Sequence, residues 1–445
     1  MGSRSLASTW GPVFSMLLVV AMLALASNWS LESLLVVMAF TPLLILLTQF
    51  SAGAVFGVFI MAGMVEVGEV RIAAVLAVAL LAVALWRVLD SGLPEIPITT
   101  LLFAGLVIVV AAGAAFSSMP DYAIEKVARL GTLGVTAFLV PPILMRDSRE
   151  VARFAAAVVA IGIVLSCAAA AISLASGAQR FAGLGAETLT IARAASLSVV
   201  GLCTFAFNRS SYRAVLVALA GVCTWVLIAT GSRGPLLGLI IAAVATVGMY
   251  MVQKRITVGA VVVGLAGVGV GLAGLAVVSP SQATQRILMV FSSNPGTSVL
   301  VRLRFLEGSW RLFKSSPILG RGTGGFAGVS NLRYPHNVFA ELASENGIVP
   351  VVLLMALVIQ AIRLATRAMG GLRDSVGDFV FGGLLLSLVN ALFSGDLTTN
   401  QPLYAFAAIA AVLAATVSGS ECAAARSSGS VASDHGVLSS GESRA

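Results

Sequence analysis

Between two apolar runs the chain reads Gly231-Ser232-Arg233-Gly234-Pro235. Serine is a good helix N-cap and proline suits a first helical turn, so a helix starts here with Arg233 at its N-terminus. Free N–H groups and the helix dipole favour an anion at such an end, and arginine adds a planar, permanently charged fork of donors. Further on, Pro335-His336-Asn337 precedes Glu341, Glu345 and Gly347, just before another apolar run. His336 is one of two histidines, the other being His435 near the C-terminus. An imidazole that titrates near neutral pH can take a proton from a hydroxyl. The spacing is not His-Glu-x-x-His, so a zinc protease is not indicated. Plainer readings stand beside these: an arginine pairing with lipid phosphate, and an ordinary loop histidine.

Weaker features surround this pair. Gly320-Arg321-Gly322-Thr323-Gly324-Gly325 has the glycines of a phosphate loop but lacks the terminal Gly-Lys-Ser/Thr, and reads as a flexible turn. Arg180 and Arg193 flank a further junction, where either can be a snorkelling interfacial residue or a ligand. Glu66 and Glu69 form either a solvated helix end or a divalent-metal pair. No Asp-x-Asp occurs in the chain, which argues against metal-dependent sugar-nucleotide chemistry. Neither a metal nor a cofactor is expected. Taken together, arginines from separate junctions and a lone histidine suit a diphosphate leaving group, which gains charge as its bond to a sugar breaks.

The elements that must position these residues are membrane spans. Of 445 residues 58% are hydrophobic and 10% charged, with a mean hydropathy of +1.01, whereas soluble domains carry about 25% charge. Uniformly apolar, non-alternating runs select helices, because a bilayer leaves no partner for unpaired backbone groups. Spans are read at 11–27, 31–48, 51–65, 71–89, 98–116, 124–145, 151–175, 190–207, 212–230, 234–252, 257–278, 347–366, 377–394 and 402–419. The short third span and the tight second leave counts from about 12 to 14 open. Arg4 and Ala24-Leu25-Ala26 resemble a signal peptide, but so many following spans favour an uncleaved first helix.

Basic junctions at Arg146/Arg149/Arg153, Arg209/Arg213, Lys254/Arg255 and Arg363/Arg367/Arg373 are separated by even numbers of spans. All four therefore share the cytoplasmic side, with both termini. Basic cytoplasmic loops are normal in membrane proteins, so the net charge of +8 does not by itself suggest nucleic acid. Residues 279–346 form the long hydrophilic loop, placed outside, with Arg286, Arg302, Arg304, Arg311, Lys314, Arg321 and Arg333 against Glu307, Glu341 and Glu345. The organisation is N-terminal spans over 1–278, this loop, C-terminal spans over 347–419, and a Ser/Gly/Ala-rich disordered tail over 420–445. Cys167, Cys203, Cys223 and Cys422 show neither a disulfide framework nor metal spacing.

The Gly-Ser-Arg-Gly-Pro turn resembles the Ser-Arg-Gly signature of the O-antigen ligase and O-antigen polymerase superfamily. The stretch from Arg302 through Pro317-Ile318-Leu319-Gly320-Arg321-Gly322 to Pro335-His336-Asn337 and Glu345-Asn346-Gly347-Ile348 is similar to that family's long periplasmic loop. Arg180-Phe181-Ala182-Gly183 is similar to its earlier arginine-glycine element. The resemblance implies an all-α polytopic inner-membrane protein related to the GT-C class. It implies metal-independent, inverting transfer of a glycan from undecaprenyl diphosphate. By motif, His336 matches the essential histidine, Arg233 the membrane-edge arginine, and Arg302 or its neighbour Arg304 the loop arginine. Arg180 joins them as a diphosphate ligand, with Ser232, Asn337 and Glu345 in support. A ligase using lipid A–core as acceptor is the first expectation, and a polymerase of the same superfamily the alternative. A transporter for lipid-linked saccharides would instead need charges near the bilayer midplane and an inverted repeat. Charges at span ends and the absence of a repeat count against it.

Overall fold

The computed structural model describes residues 47, 51–63, 72–182, 187–208, 211–256, 285, 297–330, 332–371 and 375–434. Among them it is all helix and turn, with no strand. The helices are α1 (Ala52–Ala62), α2 (Ile72–Ser91), α3 (Ile98–Ala114), α4 (Pro120–Arg129), α5 (Val135–Leu144), α6 (Ser148–Ala175) and α7 (Thr188–Asn208). They continue as α8 (Arg213–Ala229), α9 (Arg233–Val252), α10 (Thr297–Ser315), α11 (Val338–Asn346), α12 (Ile348–Gly371), α13 (Val376–Phe393) and α14 (Gln401–Asp434). A π-helical turn, Leu130–Gly134, joins α4 to α5 in one span. Seven helical stretches among the described residues are long and apolar enough to cross a membrane, and four shorter apolar helices accompany them. The chain is a polytopic, all-α membrane protein. The expected spans at 11–27 and 257–278, most of 31–48, and the pair Glu66/Glu69 lie outside the described residues.

Helix ends follow local chemistry. Asp147 caps α6 by accepting from the Glu150 N–H at 2.8 Å, and Glu150 accepts in turn from the Gly53 N–H at 2.7 Å, docking the start of α1 beside it. Pro120 at the first turn of α4 starts that span earlier than the expected residue 124, as a proline lacking an N–H can. Between helices the core is aromatic and small. Phe56, Phe154, Phe379 and Phe406 meet from four helices, and Phe103 stacks on Phe138 at 4.4 Å. A Cβ on Gly162 would fall 2.0 Å from Ser198 Oγ, so glycine is what lets α6 and α7 close.

Successive spans reverse direction, so junctions collect at two ends. At one end Tyr250 donates to Asp378 at 2.7 Å, Arg255 pairs with the same carboxylate at 3.2 Å, and Arg255 lies over the Phe207 ring. Two of the basic junctions thus meet there. Junctions 115–119, 176–182, 230–232 and 394–400, with the turns before α11, make up the other end.

Two expectations need correction. The tail from 420 onward is not disordered throughout, because α14 continues to Asp434. Propagating an existing helix needs no new nucleus, and Ala423-Ala424-Ala425 favour it over the coil suggested by Ser/Gly content. The 279–346 segment is not simply a loop, since α10 and α11 lie within it.

Candidate functional site

The turn before α9 is held from two sides. Arg180 donates from Nε to the Thr230 carbonyl at 2.8 Å and from Nη2 to Thr188 Oγ1 at 3.0 Å. The Phe181 N–H bonds the Ala229 carbonyl, and Ser232 Oγ donates to the Thr188 carbonyl at 3.4 Å. Ser232 is the N-cap residue by position, but its hydroxyl makes no capping bond and ties the turn to α7 instead. Arg180, Ser232 and Arg233 therefore belong to one assembly, with Arg233 half-buried on the first turn of α9.

Arg302 reaches the same place from α10. Half-burial and the neighbouring Arg233 charge both lower its pKa from the usual arginine value. His336 is next in line. Burial first, then Arg302 and Arg193, depress its imidazole below 6.5, while Asp396 opposes them. The ring stands edge-on to Tyr334 at 4.7 Å and tilted to Phe305 at 6.4 Å. Its backbone adopts φ +59°, a left-handed conformation uncommon outside glycine, which aims the residue before α11 can begin. Burial and neighbouring cations thus favour the neutral imidazole over the imidazolium.

Arg302 and Arg304 were equivalent by motif, but they are not equivalent in space. Two residues turn a helix by about 200°, so the pair points to opposite sides. Arg302 shares the inner side with Phe305 and buried Ser309, whereas Arg304 is exposed on the outer side. Arg304 does not join the cluster.

Two of the expected supporting residues, Asn337 and Glu345, have partners within the protein. Asn337 caps α11, accepting from the Phe339 and Ala340 N–H groups at 3.0 Å, and donates to the Leu392 carbonyl at 3.0 Å. Glu345 is fully buried against Lys126 at 2.6 Å and accepts from the Gly324 N–H at 2.8 Å. Glu341 bonds the same ammonium at 2.5 Å and accepts from the Leu397 N–H at 3.0 Å. Burial pushes the Glu341 carboxyl well above the usual range, with Glu345 and Asp396 adding to it against the pull of Lys126.

The glycine-rich stretch is likewise pinned rather than flexible. Thr323 donates to the Val110 carbonyl at 2.6 Å, and the Arg321 N–H bonds the Ser344 carbonyl at 3.1 Å. Gly320 has φ +69°, and a Cβ there would lie 2.2 Å from the Glu345 carbonyl oxygen. The Thr323 and Gly324 N–H groups face protein acceptors, not a ligand.

Lys126, Tyr334 and Asp396 were not anticipated. A lysine inside an apolar span is itself a signal, because a charge there needs a partner. Its carboxylate partners lie at the site end of the bundle, not at mid-span. Asp396 caps the turn after α13, accepting from the Thr399 N–H at 2.9 Å and from Thr398 Oγ1 at 3.0 Å. Arg193, half-buried in α7, donates to Ser394 Oγ at 2.8 Å and lines a small cavity with Leu197, Asn390, Thr399 and Asn400.

A family model described as O-antigen ligase matches residues 216–355. The match contains Arg233, Arg302, His336, Glu341 and Glu345, while Arg180 and Lys126 lie before it. Comparison with curated proteins gives no match.

Proposed function

We propose that this chain, whose residues 216–355 belong to the O-antigen ligase superfamily, is a membrane glycosyltransferase. It moves a glycan from undecaprenyl diphosphate to an acceptor hydroxyl on the periplasmic face of the inner membrane. The observation that carries the reading is the line Arg233–Arg302–His336, drawn from separate elements, in which each cation depresses its neighbour. Such repulsion is relieved by a bound polyanion.

In the reaction His336 takes the proton of the acceptor hydroxyl as its oxygen bonds to the anomeric carbon. The carbon–oxygen bond to diphosphate breaks on the opposite side, and the configuration inverts. Diphosphate leaves with the electron pair, its added charge held by Arg233 and Arg302. Arg180 braces the turn that carries Arg233 and adds positive charge beside the same diphosphate. Charge neutralisation by arginine makes the step metal-independent.

The preferred acceptor is lipid A–core, which makes the enzyme an O-antigen ligase. A strain lacking the chain, analysed by lipopolysaccharide banding, tests this directly. Bare core with accumulated lipid-linked polymer supports the ligase. Core capped by a single repeat would assign polymerisation instead, and unchanged banding would overturn both.

A further inference from the structure

α10 has two working sides, and only the inner one enters the site. On the outer side Leu303, Leu306 and Trp310 follow one another at helical spacing, with Leu303 55% and Trp310 56% exposed. Along the adjoining line stand Arg304, Arg311 and Lys314, all exposed, with Glu307 among them. Lys314 Nζ lies 5.8 Å from the Trp310 ring centroid, which joins the apolar edge to the basic one.

The height of this face is set by its connection to a span. After α10 the chain runs through Ile318 and Leu319, 68% and 64% exposed. The Pro317 carbonyl accepts from the Ile348 N–H at 2.9 Å, the first residue of α12. A Cβ on Gly347 would lie 2.1 Å from the Ile318 carbonyl oxygen, so the segment sits hard against the mouth of that span. The exposed stripe of α12 itself begins at Ile348, Val349 and Val352. The C-terminal end of α10 is thus tied, through the segment that follows it, to the mouth of a membrane helix beside that helix's exposed apolar stripe.

We propose that α10 is an interfacial helix. Its Leu303–Leu306–Trp310 edge lies in the leaflet at the site end of the bundle, and Arg304, Arg311 and Lys314 bind the phosphates of anionic phospholipids. Amphipathic helices settle where apolar residues reach acyl chains, cations reach headgroups, and tryptophan lies at the boundary. Three cations against one carboxylate give the polar edge the required sign. The arrangement would hold α10, and so Arg302 on its inner side, at the level where a lipid-borne diphosphate lies. The proposal rests on the membrane spans and not on glycan transfer, so either can fail without the other.

The test uses the full chain in nanodiscs of phosphatidylcholine and phosphatidylglycerol. Lipids brominated near the headgroup should quench a fluorescence component that disappears in Trp310→Phe. Quenching of that component by aqueous iodide instead would overturn the seating. Co-purified phosphatidylglycerol should fall about fivefold for each cation removed in Arg311→Gln/Lys314→Gln, and should rise in Glu307→Gln. Unchanged retention in these variants would overturn the headgroup contact. Displacement of the lipid by inorganic phosphate alone would assign the cations to a free anion and overturn it equally.

Discussion

Two charged clusters lie a few residues apart at one end of this bundle, and they are built on opposite plans. Lys126, Glu341 and Glu345 are fully buried, with the ammonium 2.5 and 2.6 Å from the two carboxylates, each of which also accepts a backbone N–H: Leu397 on the far oxygen of Glu341 and Gly324 on the same Glu345 oxygen that meets Lys126. Arg233, Arg302 and His336 are half-buried and share one sign when charged; beside burial, Arg233 lowers the pKa of Arg302, and Arg302 that of His336. Opposite charges closed within the protein hold helices together. Like charges gathered at a half-open place do not, and the proposed function gives them a polyanion to hold. The first cluster fixes α11 against α4, and α11 begins two residues after His336, so the closed cluster sets where the open one stands.

The sharpest test of this contrast is His336→Ala. Losing a positioned base should cut transfer by about 10²–10⁴-fold while expression and lipid-donor binding persist, since the arginines remain. Lost donor binding would make the histidine a phosphate ligand. Lys126→Met should act on stability. Removing one partner of a buried ion group costs about 3–5 kcal/mol, read as a lower unfolding temperature in detergent. Adding Glu341→Gln and Glu345→Gln should recover much of it. A stable Lys126→Met protein with no transfer would move Lys126 into the chemistry and collapse the comparison.

Arg233→Lys keeps the charge but loses the fork. Transfer should fall about ten- to hundredfold with normal membrane insertion, the equivalent of one charge-assisted bond. Near-normal activity would return Arg233 to lipid anchoring.

The pH profile distinguishes the clusters more finely. The His336 pKa is lowered, so the neutral base persists below pH 6.5, and transfer is lost only as pH falls through the lowered value. Arg302→Gln removes one depressing charge but leaves burial, Arg193 and Asp396 in place. The acid limb of kcat at saturating donor should therefore move up by less than about one unit. A downward move would contradict the placement of Arg302 beside the imidazole. The smallest expected effect is that of EDTA on the purified enzyme, namely none. Strict dependence on magnesium or manganese would promote Glu66 and Glu69 to candidate ligands.

Composition and periodicity were enough to determine an all-helical membrane protein and, for the described residues, span positions close to those observed. The reason is physical. In lipid each span satisfies its own backbone, so the information is local and survives without knowledge of neighbours. Arg233 and His336 could be singled out as candidates for a related reason, since a helix N-terminus and an imidazole carry their chemistry in themselves. What the sequence left open depends on partners far along the chain. Arg302 and Arg304 share a motif, and only the packing of α10 decides which one faces His336. Glu345 was expected to support the site, but its partner Lys126, 219 positions away, is brought against it only by folding. Gly320–Gly325 resembled a flexible turn until Thr323 met Val110. Charge is read from sequence, but whether it is cancelled inside the protein or left for a ligand is decided by tertiary contact.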